Sequence, residues 1–553
     1  MVDRESGACR GIPRRAFLKG VVGAAAGAAL APALGCREPL VPTAALATAD
    51  GWDPGEVVHL LPGVGPTRIR LKTSLRTPRD RSPRLAVAGR VVAGVRADSR
   101  GSFWTFDVAE LRPSTRYRLE LRDADGRPLC EPWPLRTLPA PDARPDRLRL
   151  LVYTCAGGPE NLYNFGFWNA YLPVAARQRM LRRALEFEPD AVIANGDHVY
   201  WDLQSKFGWA MGRSWRARAV AGQFDRAQAV LGTRNEDVLL RAFGPQIAGL
   251  YGVMFRSHPV FFLQDDHDYG ENDEASAALR TFPPDRFARD LARSTQRLYY
   301  PELFADASLP AAFQSPGGLS ESYASLRWGR LFEALLYDCR RGLTNTADPD
   351  RSDAGSGLVP PEIERWLVER TRHSPCTHLA HMPSTPMLWT AGKWGEWYPD
   401  CKDEDGRLGT ATAKPYWPAG WREQHDRLLL TAASRRDRTP FFVSGDLHAI
   451  AAGRILASGA HSLRENPAVS VLVGPPGTGP LGWPSKFRGQ RPIPSETLTV
   501  DEILAPIEEN GFSLLDVTPD AVEVSQFRWT PAQGEAALDS LEPFVRHRFP
   551  RPG

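Results

Sequence analysis

The chain has 553 residues and a mass of 61.1 kDa, more than one hydrophobic core usually organises, so we expect two or more domains. Hydrophobic residues (42%) and charged residues (24%) occur in the proportions of an ordinary globular protein, which excludes a disordered chain, a fibre and a polytopic membrane protein. The net charge of +3 is too small to indicate specific nucleic-acid recognition, and seven cysteines are too few for a disulfide scaffold of this size.

The whole basic excess lies in residues 1–47, which contain six basic and three acidic residues and leave the rest formally neutral. The segment Pro13-Arg14-Arg15-Ala16-Phe17-Leu18-Lys19 resembles the twin-arginine export consensus. A weakly apolar run follows at 21–34, too short to span a bilayer stably but typical of a signal peptide. Residues 1–47 therefore predict a Tat signal peptide, a periplasmic or extracellular location, the Tat export machinery as a partner, and no transmembrane helix.

Two interpretations of the end of this signal stay open. Ala33-Leu34-Gly35-Cys36 resembles a lipobox with a poor first position, so Cys36 could carry a lipid anchor. The triplets at 45–47 and 47–49 resemble ordinary signal-peptidase sites instead.

Residues 54–138 have the pattern of a small β-sandwich. The segments 67–73 and 102–108 alternate apolar and polar residues with period two, which is typical of half-buried strands. A Leu-x-Pro-x-Thr-x-Tyr run at 111–117 resembles the late strands of fibronectin type III domains, whose tyrosine belongs to a sandwich corner. Residues 139–145 then have the composition of a linker.

From residue 147 the pattern changes to strand, helix, strand, which predicts a layered α/β domain over 147–553. The first strand is predicted at 147–153, the helix at 174–187 and the second strand at 190–194. Later strands are predicted at 260–263, 331–337, 378–381, 441–443 and 469–473. Residues 203–258 are predicted to be a largely helical insertion.

Residues that can bind metals follow five of these strands, at the point where each strand ends. The segments are Thr154-Cys155, Gly196-Asp197-His198-Val199-Tyr200, Asp265-Asp266-His267-Asp268, Ala380-His381 and Gly445-Asp446-Leu447-His448. Open α/β sheets build their sites at the carboxyl edge of the strands, so we expect these side chains to converge there. Each motif alone is weak, but five in corresponding positions predict a metal site.

This ordered set resembles the calcineurin-like metallophosphoesterase superfamily and, within it, the alkaline phosphatase D (PhoD-like) family. The resemblance covers roughly residues 55–480, and its most specific parts are the motifs at 196–200, 265–268 and 445–448. It implies an α/β fold with a four-layer αββα metallophosphoesterase sandwich, preceded by the fibronectin III-like β-sandwich. It also implies a phosphoric ester hydrolase.

The resemblance further implies two metal ions that share one bridging carboxylate. A thiolate and a phenolate suit Fe³⁺, and the implied ligands of that ion are Cys155, Asp197, Tyr200 and His448. The second set is rich in hard oxygen ligands and favours Ca²⁺, or else Mg²⁺ or Mn²⁺, over Zn²⁺. Its implied ligands are Asp197, Asp266, His381 and Asp446.

The catalytic residues are implied by the same resemblance. His267 would bind phosphate or act as general acid, and Asp268 would orient its ring through the other nitrogen. One of Arg340 and Arg341 would anchor phosphate, although a salt bridge to Asp338 explains them equally well.

The implied function is hydrolysis of small phosphate monoesters or diesters by a metal-held hydroxide. A phospholipase D-like phosphodiesterase is the alternative within enzymes. A non-catalytic exported binding protein on the same scaffold is the alternative from another class, and it would use the sandwich and an aromatic loop. That loop could line a substrate-binding site, or its aromatic residues could pack together and stabilise a long loop. They are Trp389, Trp394, Trp397, Tyr398, Tyr416, Trp417 and Trp421.

Overall fold

The computed structural model describes residues 51–160, 169–204, 212–275, 279–345, 356–392, 396–398, 400–403, 405, 407–409 and 419–553. The predicted signal peptide at 1–47, with Cys36, lies outside these residues. Among the helices described, none is both long enough and apolar enough to cross a membrane.

The helices are α1 (Val174–Glu186), α2 (Trp215–Ala221), α3 (Arg234–Ala242), α4 (Gly244–Tyr251), α5 (Arg286–Tyr299), α6 (Pro361–His373), α7 (Ala419–Ala433) and α8 (Pro484–Arg488). The first strands are β1 (Val57–Val64), β2 (Ile69–Leu75), β3 (Arg84–Val87), β4 (Arg90–Ala93), β5 (Val95–Arg96), β6 (Phe103–Val108), β7 (Arg116–Arg122) and β8 (Trp133–Arg136). The next are β9 (Leu148–Tyr153), β10 (Ala191–Asn195), β11 (Val260–Leu263), β12 (Leu303–Phe304), β13 (Leu319–Ser320), β14 (Tyr323–Trp328), β15 (Phe332–Tyr337) and β16 (His378–Pro383). The last are β17 (Trp389–Thr390), β18 (Cys401–Lys402), β19 (Leu408–Gly409), β20 (Phe441–Ser444), β21 (Ile450–Ser458), β22 (His461–Ser462), β23 (Ala468–Val473), β24 (Ile493–Pro494), β25 (Leu498–Ile507), β26 (Asn510–Thr518), β27 (Ala521–Trp529) and β28 (Val545–Pro550).

Strands β1–β8 form two four-stranded antiparallel sheets, in the orders β1-β2-β6-β5 and β4-β3-β7-β8. Their inward side chains share one buried apolar cluster, because alternate residues of each strand point to the same face. The hydroxyl of Tyr117 accepts a hydrogen bond from the Arg112 N–H at 2.8 Å. This contact fastens the turn before β7 to the strand, as the sequence pattern there predicts.

Two larger mixed sheets follow. The first has the order β11-β10-β9-β26-β27-β28, with β9, β10 and β11 parallel. The second has the order β14-β15-β16-β20-β23-β21-β22, with β15, β16, β20 and β23 parallel and β25 paired to β21. The predicted motifs lie at or near the carboxyl ends of six of these seven parallel strands, all except β23.

The alternation of β9 shows how the layers pack. Leu150 and Val152 enter the same apolar cluster as the side chains of β1–β8, and side chains of the second mixed sheet also enter it. Leu151 and Tyr153 enter a separate cluster with α1, α3 and α4. A third cluster joins the other face of the second sheet to α6 and α7. The predicted mixed α/β fold is confirmed, and α2, α3 and α4 supply the helices expected within 203–258.

Candidate metal centre

Four of the predicted metal-binding side chains meet within hydrogen-bonding distance of one another. The Cys155 Sγ lies 3.3 Å from the Asp197 Oδ2, and the Tyr200 hydroxyl donates to the same oxygen at 2.8 Å. The Tyr200 oxygen also lies 3.0 Å from the His448 Nε2. A thiol, a carboxylate, a phenol and an imidazole from the ends of β9, β10 and β20 are thus directed at one point.

The hydrogen bonds of His448 select its tautomer. Its Nδ1 lies 2.6 Å from the Gly482 carbonyl oxygen, which can only accept a hydrogen bond. The proton therefore sits on Nδ1, and the lone pair of Nε2 faces Tyr200 and Asp197. Metal-binding histidines are usually oriented in this way by a bond from the second ring nitrogen.

A group of carboxylates lies on the other side of Asp197. Carboxylate oxygens of Asp197, Asp265, Asp266 and Asp446 approach within 4.8 Å of one another, and all four side chains are buried. Asp197 also belongs to a group with Cys155 and His448 and to another with Asp266 and His267. It is the carboxylate common to all of these groups.

The backbone at the centre is strained. Of the nine non-glycine residues with positive φ in the described part of the chain, five carry site side chains. They are Cys155, Asp197, Asp202, Asp446 and His448. Such conformations cost free energy and concentrate at functional sites, where surrounding structure holds them. A Cβ at Gly196, whose own φ is +79°, would lie 2.6 Å from the Asp265 Cβ, so glycine is required there.

Burial opposes ionisation of the acidic ligands. Burial, and then the charge of Asp266, raise the pKa of Asp197 well above its usual value. Burial, and then Asp197, likewise raise the pKa of the Cys155 thiol and of the Tyr200 phenol. A bound cation would favour the ionised forms, so binding of a metal here must release protons.

His267 lies at the partly exposed edge of the donor groups, and Asp202 rather than Asp268 holds it. The His267 Nδ1 lies 2.6 Å from the Asp202 Oδ1, and the imidazole is 13% exposed whereas Asp266 is fully buried. Although burial acts against the charged ring, the nearby carboxylates, Asp202 foremost, raise the pKa of His267 well above its usual value.

The role predicted for Asp268 is therefore corrected. Its carboxylate accepts three backbone N–H groups, from Asp197, His198 and Asp265, at 2.9 Å each. It cannot turn toward the imidazole without leaving these donors unpaired. Asp268 fixes the two metal-bearing loops against each other, and this role is structural.

The metal-ligand prediction for His381 is also corrected. Strand β16 continues two residues past His381 to Pro383, so the side chain points to the face that α6 covers. Its Nε2 lies 2.9 Å from the Thr371 hydroxyl, its Nδ1 lies 3.3 Å from the Tyr337 hydroxyl, and its ring stacks on Phe442. His381 is a buried core histidine, and Asp265 occupies the carboxylate group instead.

We expect His381→Leu to leave metal content and hydrolysis unchanged while lowering the free energy of unfolding by about 1–3 kcal/mol, because two buried hydroxyls lose a partner. Burial lowers the pKa of His381 from 6.5 to about 3. The unfolded chain therefore binds the additional proton between these values, and stability is lost as pH falls below 6.5. Urea titrations at pH 7.5 and pH 5 should show a smaller acid-induced loss in the variant than in the wild type. A loss of bound metal in the variant would contradict this placement.

The two predicted phosphate anchors differ in their surroundings. Arg341 bonds to Glu321, Ser322 and Gln264, outside the donor groups, so the structure does not support it as a phosphate ligand. Arg340 is fully buried beside the carboxylates; its Nε lies 2.6 Å from the Asp265 Oδ1.

Arg340 also approaches two other carboxylates of the site. Its Nη1 lies 3.3 Å from the Asp273 Oδ2, and its Nη2 lies 3.7 Å from the Asp446 Oδ2. Its guanidinium thus partly balances the charge of the carboxylate group. Because Asp265 is paired with Arg340, the oxygens best placed for a second cation are those of Asp197, Asp266 and Asp446.

Several supporting residues are not among the site residues that the sequence predicts. The Gln246 Oε1 accepts N–H groups of Gly158 and Tyr200 at 2.7 and 2.8 Å, so α4 joins two site loops. The Tyr171 ring lies 4.8 Å from that of Tyr200. Asp202 follows Tyr200 by two residues, and this spacing was the one signal in the sequence that could have identified it.

The aromatic loop packs where it is described. Trp389, Trp397, Tyr398 and Trp421 are buried, and their polar atoms bond within the protein. Trp394, Tyr416 and Trp417 lie outside the described residues. The cysteines whose side chains are described are buried free thiols: Cys130, Cys155, Cys339 and Cys376.

The residues present fit metal ions on their own chemistry. The Asp197 Oδ1 is buried and has no hydrogen-bond partner among the described residues, while its Oδ2 meets the thiol and the phenol. Buried carboxylates need a counter-charge, and among the described residues the guanidinium of Arg340 and the His267 ring, whose pKa is raised, lie beside this group. A mixed α/β fold with such a donor set at its strand ends defines a metal-dependent hydrolase.

Comparison with known proteins gives the family. The model of the PhoD-like phosphatase family matches residues 150–525, and the chain belongs to this family. It is therefore a hydrolytic, metal-dependent phosphoesterase.

Two solved structures share the fold. A structure of PhoD has 14% identity and a TM-score of 0.55, covering 86% of this chain and 87% of that one. Purple acid phosphatase PPD1 from yellow lupin (Lupinus luteus) seeds has 11% identity and a TM-score of 0.51, covering 90% and 75%. No curated protein matches the sequence.

Proposed function

We propose that this protein is an exported binuclear phosphoesterase that hydrolyses small phosphate monoesters, diesters or both. The observation that carries the proposal is the position of Asp197. Its carboxylate belongs both to the group with Cys155 and His448 and to the group with Asp266 and Asp446. A carboxylate shared between two donor sets is the arrangement that holds two cations close enough to contact one phosphoryl group.

The donor chemistry supports two different ions. Cys155, Tyr200 and His448 with Asp197 suit Fe³⁺, because a thiolate and a phenolate are ligands of a polarising, redox-active ion. Asp266 and Asp446 with Asp197 offer oxygens alone and suit Ca²⁺, or else Mg²⁺ or Mn²⁺. Bound there, the ions would activate a water nucleophile and neutralise charge on the phosphoryl oxygens.

The protein's own residues have distinct tasks in this reaction. Asp202 holds the proton on Nδ1 of His267, so Nε2 is the nitrogen available to the substrate. From there His267 would bind a phosphoryl oxygen and give a proton to the leaving oxygen. Asp268 keeps the loops of Asp197 and His267 in register through three N–H bonds. Arg340 limits repulsion among the carboxylates.

We also infer that the chain consists of an export signal followed by two domains. Residues 1–47 would be removed or lipidated during twin-arginine export, which supports a periplasmic or extracellular location. Residues 54–138 would form a fibronectin III-like β-sandwich, and 147–553 a four-layer αββα catalytic domain with the insertion at 203–258. The two antiparallel sheets of β1–β8, which share no strand with the two mixed sheets, support this division.

Elemental analysis of the natively exported protein, combined with assays on p-nitrophenyl phosphate and bis-p-nitrophenyl phosphate, tests the proposal. We expect about one iron and at least one alkaline-earth or manganese ion per chain, with hydrolysis of at least one ester. A folded protein without metal would favour the non-catalytic binding protein. Hydrolysis of phosphatidylcholine in preference to both aryl esters would favour the phospholipase D-like alternative.

We expect Asp202→Asn to lower kcat for an alkyl phosphate by about 100-fold, because His267 would lose the carboxylate that orients it and raises its pKa. An ester of p-nitrophenol should be affected much less, since its leaving oxygen scarcely needs a proton. Metal content should not change. Asp190→Asn is the matched control, because that carboxylate bonds to the Arg149 N–H away from the site. Equal losses for the two esters would show that Asp202 is structural.

A further inference from the structure

Exposed apolar side chains are concentrated in two segments beside the metal centre. The large hydrophobic residues of the described chain that stay exposed are Val91, Val95, Trp215, Val220, Phe487 and Ile493. Four of these six lie in segments 212–222 and 483–493, which we call the rim segments. Exposed apolar groups that cluster in this way mark an interaction surface more often than scattered ones do.

Both rim segments begin at the site. The Gly212 N–H donates to the carbonyl oxygens of Trp201 and Asp202, which follow Tyr200. Gly482, the residue before the second segment, accepts from the His448 Nδ1, and the Trp483 ring lies 6.4 Å from the imidazole of His448. Since Tyr200 and His448 are 3.0 Å apart, both segments leave the edge of one centre.

Each rim segment also carries only positive charge. Segment 212–222 has three arginines and segment 483–493 has one lysine and two arginines, and neither contains an acidic residue. The chain after residue 47 is formally neutral, so these six cations are a local concentration. The Glu508 carboxylate contacts the second segment by accepting hydrogen bonds from the backbone N–H and the hydroxyl of Ser485.

The local structure presents these groups outward. In α2, Ala217 and Ala221 are buried, while Trp215 is 73% exposed with the Arg216 guanidinium over its ring. In α8, Pro484 is buried and Phe487 is 65% exposed. The small residues anchor each helix, and the aromatic and basic residues form its outer side.

We propose that the rim segments dock the mouth of the metal centre onto an anionic phospholipid bilayer. Tryptophan and phenylalanine beside arginine and lysine match the boundary between acyl chains and anionic headgroups. A second copy of the chain fits less well, because a symmetric contact would place like charges against each other. The docking is independent of the proposed hydrolysis.

Co-sedimentation of the metal-loaded full chain with vesicles tests this docking. Every protein carries Cys36→Ser, so that no lipid anchor contributes. We expect at least about tenfold stronger binding to phosphatidylglycerol than to phosphatidylcholine vesicles, and weaker binding in 0.5 M NaCl. The variant W215S/F487S should lose at least about tenfold in binding, and R218E/K486E should lose the preference for phosphatidylglycerol.

The matched control is V91S/V95S, which removes side chains that are 60% and 69% exposed on β4 and β5, outside the rim segments. It should bind vesicles like the parent protein. All variants should hydrolyse soluble p-nitrophenyl phosphate at the parent rate, so a loss of docking is separable from a failure of the proposed function.

Four outcomes would overturn the docking proposal. The parent protein could stay in the supernatant with both vesicles, or the control could lose as much binding as W215S/F487S. Binding to single-stranded DNA that W215S/F487S leaves intact, without vesicle binding, would assign the rim segments to a soluble polyanion. Sedimentation equilibrium showing a dimer that W215S/F487S dissociates, again without vesicle binding, would assign them to a second copy.

Discussion

Replacing Asp197 by asparagine is expected to lower phosphoester hydrolysis by at least about 1,000-fold, corresponding to about 4 kcal/mol of lost transition-state stabilisation. The reason is that one carboxylate serves both donor groups. An amide is neutral and donates protons through its nitrogen, so it cannot bridge two cations. We expect metal content to fall together with kcat, measured by elemental analysis and p-nitrophenyl phosphate hydrolysis on the same sample.

Glu333→Gln is the matched control that separates a loss of activity caused by unfolding from a loss caused by removing the shared carboxylate. Glu333 is equally buried, but it bonds to Arg370, Ser325 and Ser374 beneath α6, away from the donor groups. Its variant should lose stability while keeping metal and kcat. Wild-type activity and metal content in a folded Asp197→Asn protein would rule out the shared carboxylate as the basis of the site.

The strand framework could be predicted because buried parallel strands are short apolar runs with abrupt polar ends. The strand at 260–263 begins and ends where the sequence predicts it. The strand predicted at 147–153 begins one residue later, and the one predicted at 190–194 is shifted by one residue at both ends. The loops that follow parallel strands lie at the same edge of the sheet, so the positions of the motifs at strand ends predict the convergence of Cys155, Asp197 and His448. The structure adds the distances that make them one group.

The errors in the site have a common physical origin. His381 was assigned to a strand end, but β16 is two residues longer, and alternation then turns the ring toward α6. The family resemblance implies that Asp268 orients the His267 ring, but in this tight turn the Asp268 carboxylate accepts three backbone N–H groups instead. Asp202 reaches the ring from a loop with φ of +27°, and sequence spacing does not encode such a path.

Burial favours the protonated forms of the acidic ligands at this centre until cations bind. Burial raises the pKa of Asp197, of the Cys155 thiol and of the Tyr200 phenol, so the metal-free site holds protons that the loaded site must release. Because the Arg340 guanidinium is fixed in the carboxylate group, part of the negative charge is balanced before any metal binds. Affinity for metal should accordingly weaken as pH falls.

Replacing Cys155 by serine is expected to remove stoichiometric iron and to lower hydrolysis by about 100-fold or more. The thiolate is the soft donor of the proposed iron site, and a serine hydroxyl at this position would have to lose a proton of much higher pKa to replace it. The visible charge-transfer absorption that we expect from the proposed iron site should be absent in Cys155→Ser. In Tyr200→Phe the phenolate contribution alone should be lost. Iron titration of the metal-free wild type should release protons, and Cys155→Ser should release fewer.

Cys339→Ser provides the matched control for this effect. Cys339 is also a buried free thiol after a core strand, but its Sγ approaches the Tyr337 carbonyl oxygen at 4.0 Å and lies outside the donor groups. Its variant should keep iron, the absorption band and kcat, with a loss in stability alone. If Cys155→Ser kept iron and colour while Cys339→Ser lost them, the thiolate would have to be reassigned. If both variants kept them, iron would be bound without thiolate, and Asp197, Tyr200 and His448 would remain as its proposed ligands.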